Sequence, residues 1–440
     1  MEPIERRRFL ARSVRGAAAA AATVSAFEIL RPGARGANDR VVLAVAGAGG
    51  QGTTHAKAFN VMADAQVVAV CDPDTRRRTA AAKAATREGK EPKPVEDFRT
   101  LLDDKGIHAF AVATPDHWHA LITVLACQAG KDVYVEKPCS HNVREGQLMI
   151  EAARKYQRIV QHGTQSRSGA AHQEAVETLR SGKLGRCLQA KAINSQRRAN
   201  IGRKPDAEPP AGVNYDLWLG PAPKRPFNPN RFHYNWHWMW DTGTGDIGND
   251  GIHQIDVARW GLGVEVPTRV SCSAGKYFFD DDQETPDTYL VTYEFPADAE
   301  QKRPACTLVY EQRDWAPYHE HEFENGVVFY CEKGYIEVSP ATGLKLFTER
   351  NKPLGAKPES ASLPAHHRHF VECVKTRKRS RADIEVGHRS ALLAHLGNIA
   401  YRVGRDLRLD PKAERFVGDD EANKLLTRTY RAPYLMPDPV

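Results

Sequence analysis

Between residues 40 and 166, short apolar runs alternate with amphipathic stretches. The pattern predicts strands at 41–46, 66–71, 108–113, 132–135 and 158–162, with helical periodicity at 98–102 and 119–129. Strands and helices in this alternation build a parallel sheet with helices on both faces. Beyond residue 185 the texture changes. The runs 270–279, 288–295, 305–311, 326–331 and 334–338 alternate apolar with polar positions, which predicts a large open antiparallel sheet with one buried and one polar face. Helices at 362–374 and 388–405 follow. Ahead of these runs lies a stretch rich in Pro, Trp and Asn, 199–245. It is too long for an idle loop in a compact domain and is a candidate substrate-binding insertion.

The first strand runs straight into Gly47-x-Gly49-x-x-Gly52. In such a strand–turn–helix unit the first glycine makes the tight turn, the second lets the backbone approach a pyrophosphate, and the third lets helix and strand pack closely. Gly50 and Gln51 fall at the helix start, whose free N–H groups and positive dipole end suit phosphates. The second strand ends in Asp72, 20 residues beyond Gly52, where a carboxylate bonds the adenosine ribose and repels a 2′-phosphate. This predicts NAD as cofactor, while Arg76 and Arg77 keep NADP open. The expected fold class is α/β plus α+β: an N-terminal Rossmann domain with a doubly wound parallel sheet, 38–166, then a C-terminal domain, 167–440, with the large open antiparallel sheet. Thr114-Pro115-Asp116-His117-Trp118-His119 and Glu136-Lys137-Pro138 follow the third and fourth strands. They sit at carboxyl ends of parallel strands, where open α/β sheets bind ligands.

The first 37 residues read as a leader. Arg6-Arg7-Arg8-Phe9-Leu10, an alanine-rich run and Ala34-Arg35-Gly36 look like a twin-arginine export signal. The expected partner is the twin-arginine export machinery, and the expected location is periplasmic or otherwise extracytoplasmic. Removing the leader lowers the formal net charge from +7 to about +3, too little to suggest nucleic acid. No segment reaches the length of a membrane span. The eight cysteines contain no C-x-x-C pair and read as small buried hydrophobes. His366-His367-x-His369 lacks carboxylate or cysteine company, so it is read as surface or interface and no metal is expected.

The glycine fingerprint, Asp72, Thr114-Pro115-x-x-x-His119, Glu136-Lys137-Pro138 and the block from Gly245 to Asp256 together resemble the Gfo/Idh/MocA family of oxidoreductases. That family includes glucose-fructose oxidoreductase and inositol 2-dehydrogenase, and the resemblance covers nearly all of 40–410. It implies a cis Lys137–Pro138 bond that places Lys137 against both nicotinamide and the reacting sugar oxygen, with Glu136 orienting Lys137 or a ribose hydroxyl. It also implies cofactor contacts from Thr114, Pro115, His117, His119 and Pro138. A fixed ammonium stabilises the negative charge that builds on oxygen as hydride leaves carbon. His253 matches the family's catalytic histidine, whose near-neutral pKa suits taking the hydroxyl proton. On a helix from 249 to 260, Asn249, His253 and Asp256 share one face. The family commonly carries aspartate four residues before that histidine; here it is Asn249, which cannot relay a proton, and Asp246 or Asp250 is the replacement. Arg231, His233, Trp236 and Asp250 are candidate sugar contacts, since pyranose faces stack on aromatics while their hydroxyls need hydrogen bonds.

The expectation is an exported NAD(P)-dependent oxidoreductase acting on a sugar, polyol or glycoside by hydride transfer. Outside the cytoplasm there is no pool of free nicotinamide, so the cofactor is expected to be tightly bound. One alternative is a glycoside hydrolase, lyase or epimerase that oxidises its substrate transiently; another is a non-catalytic sugar-binding subunit. The resemblance also implies a homo-oligomer built on the open face of the antiparallel sheet.

Overall fold

The computed structural model describes residues 40–300, 303–360 and 362–440. The expected leader, 1–37, lies outside the described residues. The first layer comprises β1 (Val41–Ala46), α1 (Gly50–Asn60), β2 (Ala65–Cys71), α2 (Thr75–Ala84), β3 (Lys93–Val95), β4 (Ala109–Val112), α3 (Asp116–Gln128), β5 (Asp132–Val135), α4 (Val143–Lys155) and β6 (Val160–His162). Its six strands pair in parallel in the order β3-β2-β1-β4-β5-β6. Every residue of β4 and β5 is buried, because helices cover both faces of a parallel sheet. The strand order reverses between β1 and β4, which opens a crevice at their carboxyl ends. Sequence patterning misses β3, whose Lys93-Pro94-Val95 is a short exposed edge.

The second layer contains α5 (Ala170–Arg180), β7 (Cys187–Asn194), α6 (Tyr215–Leu219), α7 (Ile252–Leu262), β8 (Arg269–Gly275), β9 (Thr288–Phe295), β10 (Cys306–Arg313), β11 (Asn325–Cys331), β12 (Gly334–Ser339), β13 (Gly343–Thr348), β14 (Pro353–Lys357), α8 (Ser362–Thr376), α9 (Ile384–Val403), β15 (Leu407–Asp410), β16 (Arg415–Phe416) and α10 (Asp420–Lys424). The strands form one ten-stranded sheet in the order β14-β13-β12-β11-β7-β10-β9-β8-β15-β16. The sheet is mostly antiparallel, as expected, with one parallel pairing: β7 enters between β10 and β11 and runs parallel to β10. It is exposed at its start and buried at its end, so it lacks the alternation that marks β9 and β10.

One face of this sheet carries Tyr289, Tyr293 and Tyr310 against α7 and α9. The Tyr289 hydroxyl donates to Asn398 Oδ1 at 2.8 Å and the Tyr293 hydroxyl to the Leu393 carbonyl at 2.6 Å. Close approach of α7 depends on Gly251 and Gly261, where a Cβ would collide with the Tyr310 hydroxyl and the Phe329 ring. That packing fixes the start of α7, and with it the residues just before and after Gly251, at the mouth of the crevice. The expected insertion, 199–245, forms a strap across the crevice. Gly212 accepts from Thr75 N at 3.0 Å, Asn214 N donates to Pro73 O at 3.1 Å, and Asn214 Nδ2 donates to Glu96 Oε1 at 2.7 Å. Trp218, Leu219, Phe227 and Phe232 give the strap its own apolar core. Among the described residues no helix is long and apolar enough to cross a membrane. All eight cysteines are free thiols, five of them buried.

Candidate active site

A cavity of about 540 Å3 fills the crevice between the first layer, α7 and the strap. It gathers Gly47, Gly49, Gly50, Gln51, Asp72, Thr114, Pro115, His119, Glu136 and Lys137 on one side and His233, Trp236, Asn249, Asp250 and His253 on the other. The residues of its inner end fit a dinucleotide. Gly47 has φ +92° and lies so close to Ala113 that a side chain would strike the Ala113 carbonyl. Gly49 opens α1 with no side-chain cap, so the first turn keeps its N–H groups for a ligand. Asp72 accepts from Ala48 N at 2.8 Å and Asp74 N at 2.9 Å, which aims its carboxylate along the cavity wall.

Five expected site residues do not line the cavity. Gly52 packs against the Gly47 carbonyl, the close approach foreseen for the third glycine. Pro138, after a cis Lys137–Pro138 bond, uses its carbonyl to hold His119 Nδ1 at 2.6 Å. His117 is corrected from cofactor contact to strap anchor: its ring nitrogens face the Thr242 and Trp218 carbonyls at 3.2 and 3.1 Å. Arg231 is corrected likewise, because its guanidinium stays within the strap on Asp206 at 3.1 Å and Pro226 O at 3.3 Å. Asp246 is wholly buried behind Asn249.

Lys137, two residues beyond the end of β5, reaches across the cavity. Its Nζ donates to the Asn249 carbonyl at 2.5 Å and to Asn249 Oδ1 at 3.1 Å, while Asn249 Nδ2 donates to Asp246 Oδ1 at 2.9 Å. The expected common face of residues 249, 253 and 256 is not formed. A π-helical turn, Ile247–Gly251, precedes α7 and turns Asn249 toward Lys137; such turns recur at functional sites. Asp256 faces away, bound by Arg167 at 2.8 and 2.9 Å and by Ser390 at 2.6 Å. Burial and the Lys137 ammonium push the His253 imidazole down to about 4, below the near-neutral value expected, so the ring is neutral at pH 7. Its Nδ1 is buried without a hydrogen-bond partner.

Two further groups escaped sequence reasoning. Arg198, just ahead of the strap, binds Asp246 through Nε at 3.2 Å and Nη2 at 2.7 Å, pairs with Asp250, and donates to the Tyr234 hydroxyl at 3.2 Å. His55 donates through Nε2 to Glu136 at 2.9 Å, with Gln51 Nε2 at 3.3 Å beside it. Burial opposes ionisation of Glu136, yet the His55 bond, with Lys137 and His253 nearby, holds its carboxyl well below the usual range. His55 Nδ1 meets His367 Nε2 at 2.8 Å. His366 and His367 are therefore core residues, which corrects their assignment to the surface: α8 returns to pack on α1 and β1. Helical spacing carried a signal for this, since 366 and 367 lie one turn from the apolar Phe370 and Val371. Among the described residues no group of three or more His, Cys, Asp or Glu is placed to hold a metal ion.

Two family models cover the chain. One, of the oxidoreductase family's NAD-binding Rossmann fold, matches residues 41–164. The other, of the same family's C-terminal alpha/beta domain, matches 199–294 and 348–436. The chain belongs to the Gfo/Idh/MocA oxidoreductase family. It is 27% identical over 198 residues to the levoglucosan dehydrogenase of Pseudarthrobacter phenanthrenivorans, a match covering 45% of this chain and 42% of that protein. It is 33% identical over 153 residues to the inositol 2-dehydrogenase of Rubrobacter xylanophilus, covering 34% and 43%. The chain thus spans less than half the length of these two curated relatives. A solved structure of levoglucosan dehydrogenase in complex with NADH shares the fold, with a TM-score of 0.64 at 17% identity over 84% of this chain and 99% of that one.

Proposed function

We propose that the protein is an NAD-dependent oxidoreductase that moves a hydride between a ring carbon of a sugar, polyol or glycoside and the nicotinamide. The observation that carries this is the Lys137 ammonium, held by Asn249 between the glycine cradle and His253 in one cavity. When bound, the nicotinamide supplies the hydride acceptor. Gly47, Gly49, Gly50 and Gln51 would hold its pyrophosphate, and Asp72 the adenosine ribose. Two of the three ammonium protons of Lys137 are engaged by Asn249, leaving the third for the oxygen of the carbon being oxidised. Stabilising that oxygen's developing charge lowers the barrier. Neutral His253, which lines the same cavity, takes the hydroxyl proton.

The strap favours a cofactor that stays bound. It bonds directly to Pro73, Thr75 and Glu96, beside the Asp72 that would hold the adenosine ribose, and so adds a wall at that end of the cavity. A retained cofactor fits the proposed export by the twin-arginine route, and it suits either a second sugar that reoxidises the cofactor or a transient oxidation within a hydrolase, lyase or epimerase cycle. Assembly as a homo-oligomer through the outer face of the ten-stranded sheet is part of the same proposal. The test is to purify the exported protein, denature it, assay the supernatant for NAD and NADH, and then follow nicotinamide absorbance of the loaded protein with a sugar panel. About one cofactor per chain and a sugar-dependent absorbance change support the proposal. Absence of both would overturn it.

A further inference from the structure

We propose that the site selects uncharged carbohydrates over acidic ones, and that the Arg198–Asp250 pair makes the choice. This rests on the oxidoreductase reading and names the substrate class within it. A pocket that takes a uronate presents a guanidinium or ammonium with N–H groups free for the carboxylate. Among the described residues, the cations that line or stand behind the substrate end of this cavity are engaged as follows. Arg198 directs Nε and Nη2 at Asp246, Nη2 also at Asp250, and Nη1 at the Tyr234 hydroxyl, and its plane lies 5.7 Å from the Trp238 ring. Lys137 gives two protons to Asn249 and keeps one for the reacting oxygen. In the strap, Arg225 pairs with Asp241 at 2.8 Å and Glu284 at 3.5 Å, and Arg231 pairs with Asp206 at 3.1 Å. Arg77, the guanidinium that lines the cavity among the described residues, stands beside Asp72 at the adenosine end.

What faces a ligand is the Asp250 carboxylate. It lines the cavity with 23% of its side chain exposed, and Arg198 holds it from behind. Burial keeps the imidazoles of His237 and His253 neutral at pH 7, with values pushed down to about 3 and about 4, so neither supplies a compensating charge. A carboxylate only accepts hydrogen bonds, so Asp250 pairs with sugar hydroxyls, which donate. A sugar carboxylate brought to the same wall would meet a like charge, while Lys137, the ammonium lining the cavity among the described residues, is committed to Asn249 and the reacting oxygen. Arg198 thereby acts as a positioning residue: it fixes Asp250 and withdraws its own charge from the ligand.

The test compares glucuronate and galacturonate with their methyl esters, which keep the ring hydroxyls and lose the charge. Each is titrated into the NAD-loaded protein, with tryptophan fluorescence reporting binding through Trp236 and nicotinamide absorbance reporting turnover. The wild type should bind each ester at least about tenfold more tightly than its acid. Asp250→Asn should narrow that gap to about threefold or less, which a merely structural role for Asp250 would not do. Arg198→Gln should raise KM for the esters more than it lowers kcat, and Arg198→Lys should restore part of the loss. Equal or tighter binding of the acids by the wild type overturns the proposal, and so does failure of both classes to bind. Discriminating binding with no reduction of nicotinamide by any sugar upholds the charge selection and overturns the oxidoreductase reading instead.

Discussion

Asn249 stands between a cation and an anion: its Oδ1 accepts from Lys137 Nζ at 3.1 Å and its Nδ2 donates to Asp246 Oδ1 at 2.9 Å. Only an amide serves both neighbours, since an aspartate has no proton to give Asp246. The residue that looked like a defect in a relay is the one the local charges require.

Asn249→Asp should therefore harm the enzyme. Two carboxylates in contact cannot both ionise easily, so one takes up a proton and the Lys137 anchor becomes pH-dependent. The expected outcome is a fall in kcat of about tenfold at pH 7, about 1.4 kcal/mol in barrier, with a new ionisation in the pH profile. A profile that overlays the wild type contradicts the bridging role of Asn249.

The pH dependence of kcat/KM reports the free enzyme's base. His253 acts when deprotonated, and burial with the nearby Lys137 holds its pKa at about 4 rather than the ordinary 6.5. Activity should persist as pH falls through 6 and be lost only as it falls through about 4. A limb near 6.5 would mean that His253 is more exposed in the working enzyme than this geometry allows, or that another group is the base. His253→Ala should depress kcat while leaving sugar binding close to wild type.

Asp72 both lines the cavity and accepts from Ala48 N and Asp74 N. Asp72→Ala should weaken NAD binding by about tenfold or more and raise relative use of NADP, because a ribose acceptor is exchanged for space beside Arg77. Cofactor titrations by fluorescence check this. Unchanged affinity and unchanged preference would remove Asp72 from the ribose site.

The sequence reveals the first layer well because glycine spacing and an acid at a strand end are local features. The Lys137 and His253 motifs are also local, and the structure brings them to one cavity. What stayed hidden depends on long-range packing. His55 meets Glu136 and His367 only once α8 has returned to the first sheet, and Arg198 meets Asp246 and Asp250 only once the strap is laid down. His117 was misassigned because proximity in sequence to Thr114 and His119 says nothing about which way a ring turns at a helix start. The π-helical turn at Ile247–Gly251 likewise broke a spacing argument that assumed a regular helix.

His55→Ala tests one of those hidden contacts. It removes a buried donor from Glu136 and a partner from His367, and should lower unfolding stability by about 1–3 kcal/mol. Denaturant unfolding at pH 7 measures it. A midpoint equal to the wild type would show that the buried chain contributes nothing to the fold.

The account turns on Lys137, and the most direct measurement is hydride transfer by Lys137→Ala. The NAD-loaded variant and wild type are mixed with the best sugar of a panel, and nicotinamide absorbance is followed in a single turnover. Lys137 lies just beyond a strand end at the cavity wall rather than in the core, so the variant should fold and retain cofactor. Its rate should fall by about 10²–10³, as when one charge-stabilising donor is removed from an active site. A folded, loaded variant that transfers hydride within about tenfold of wild type would contradict the account.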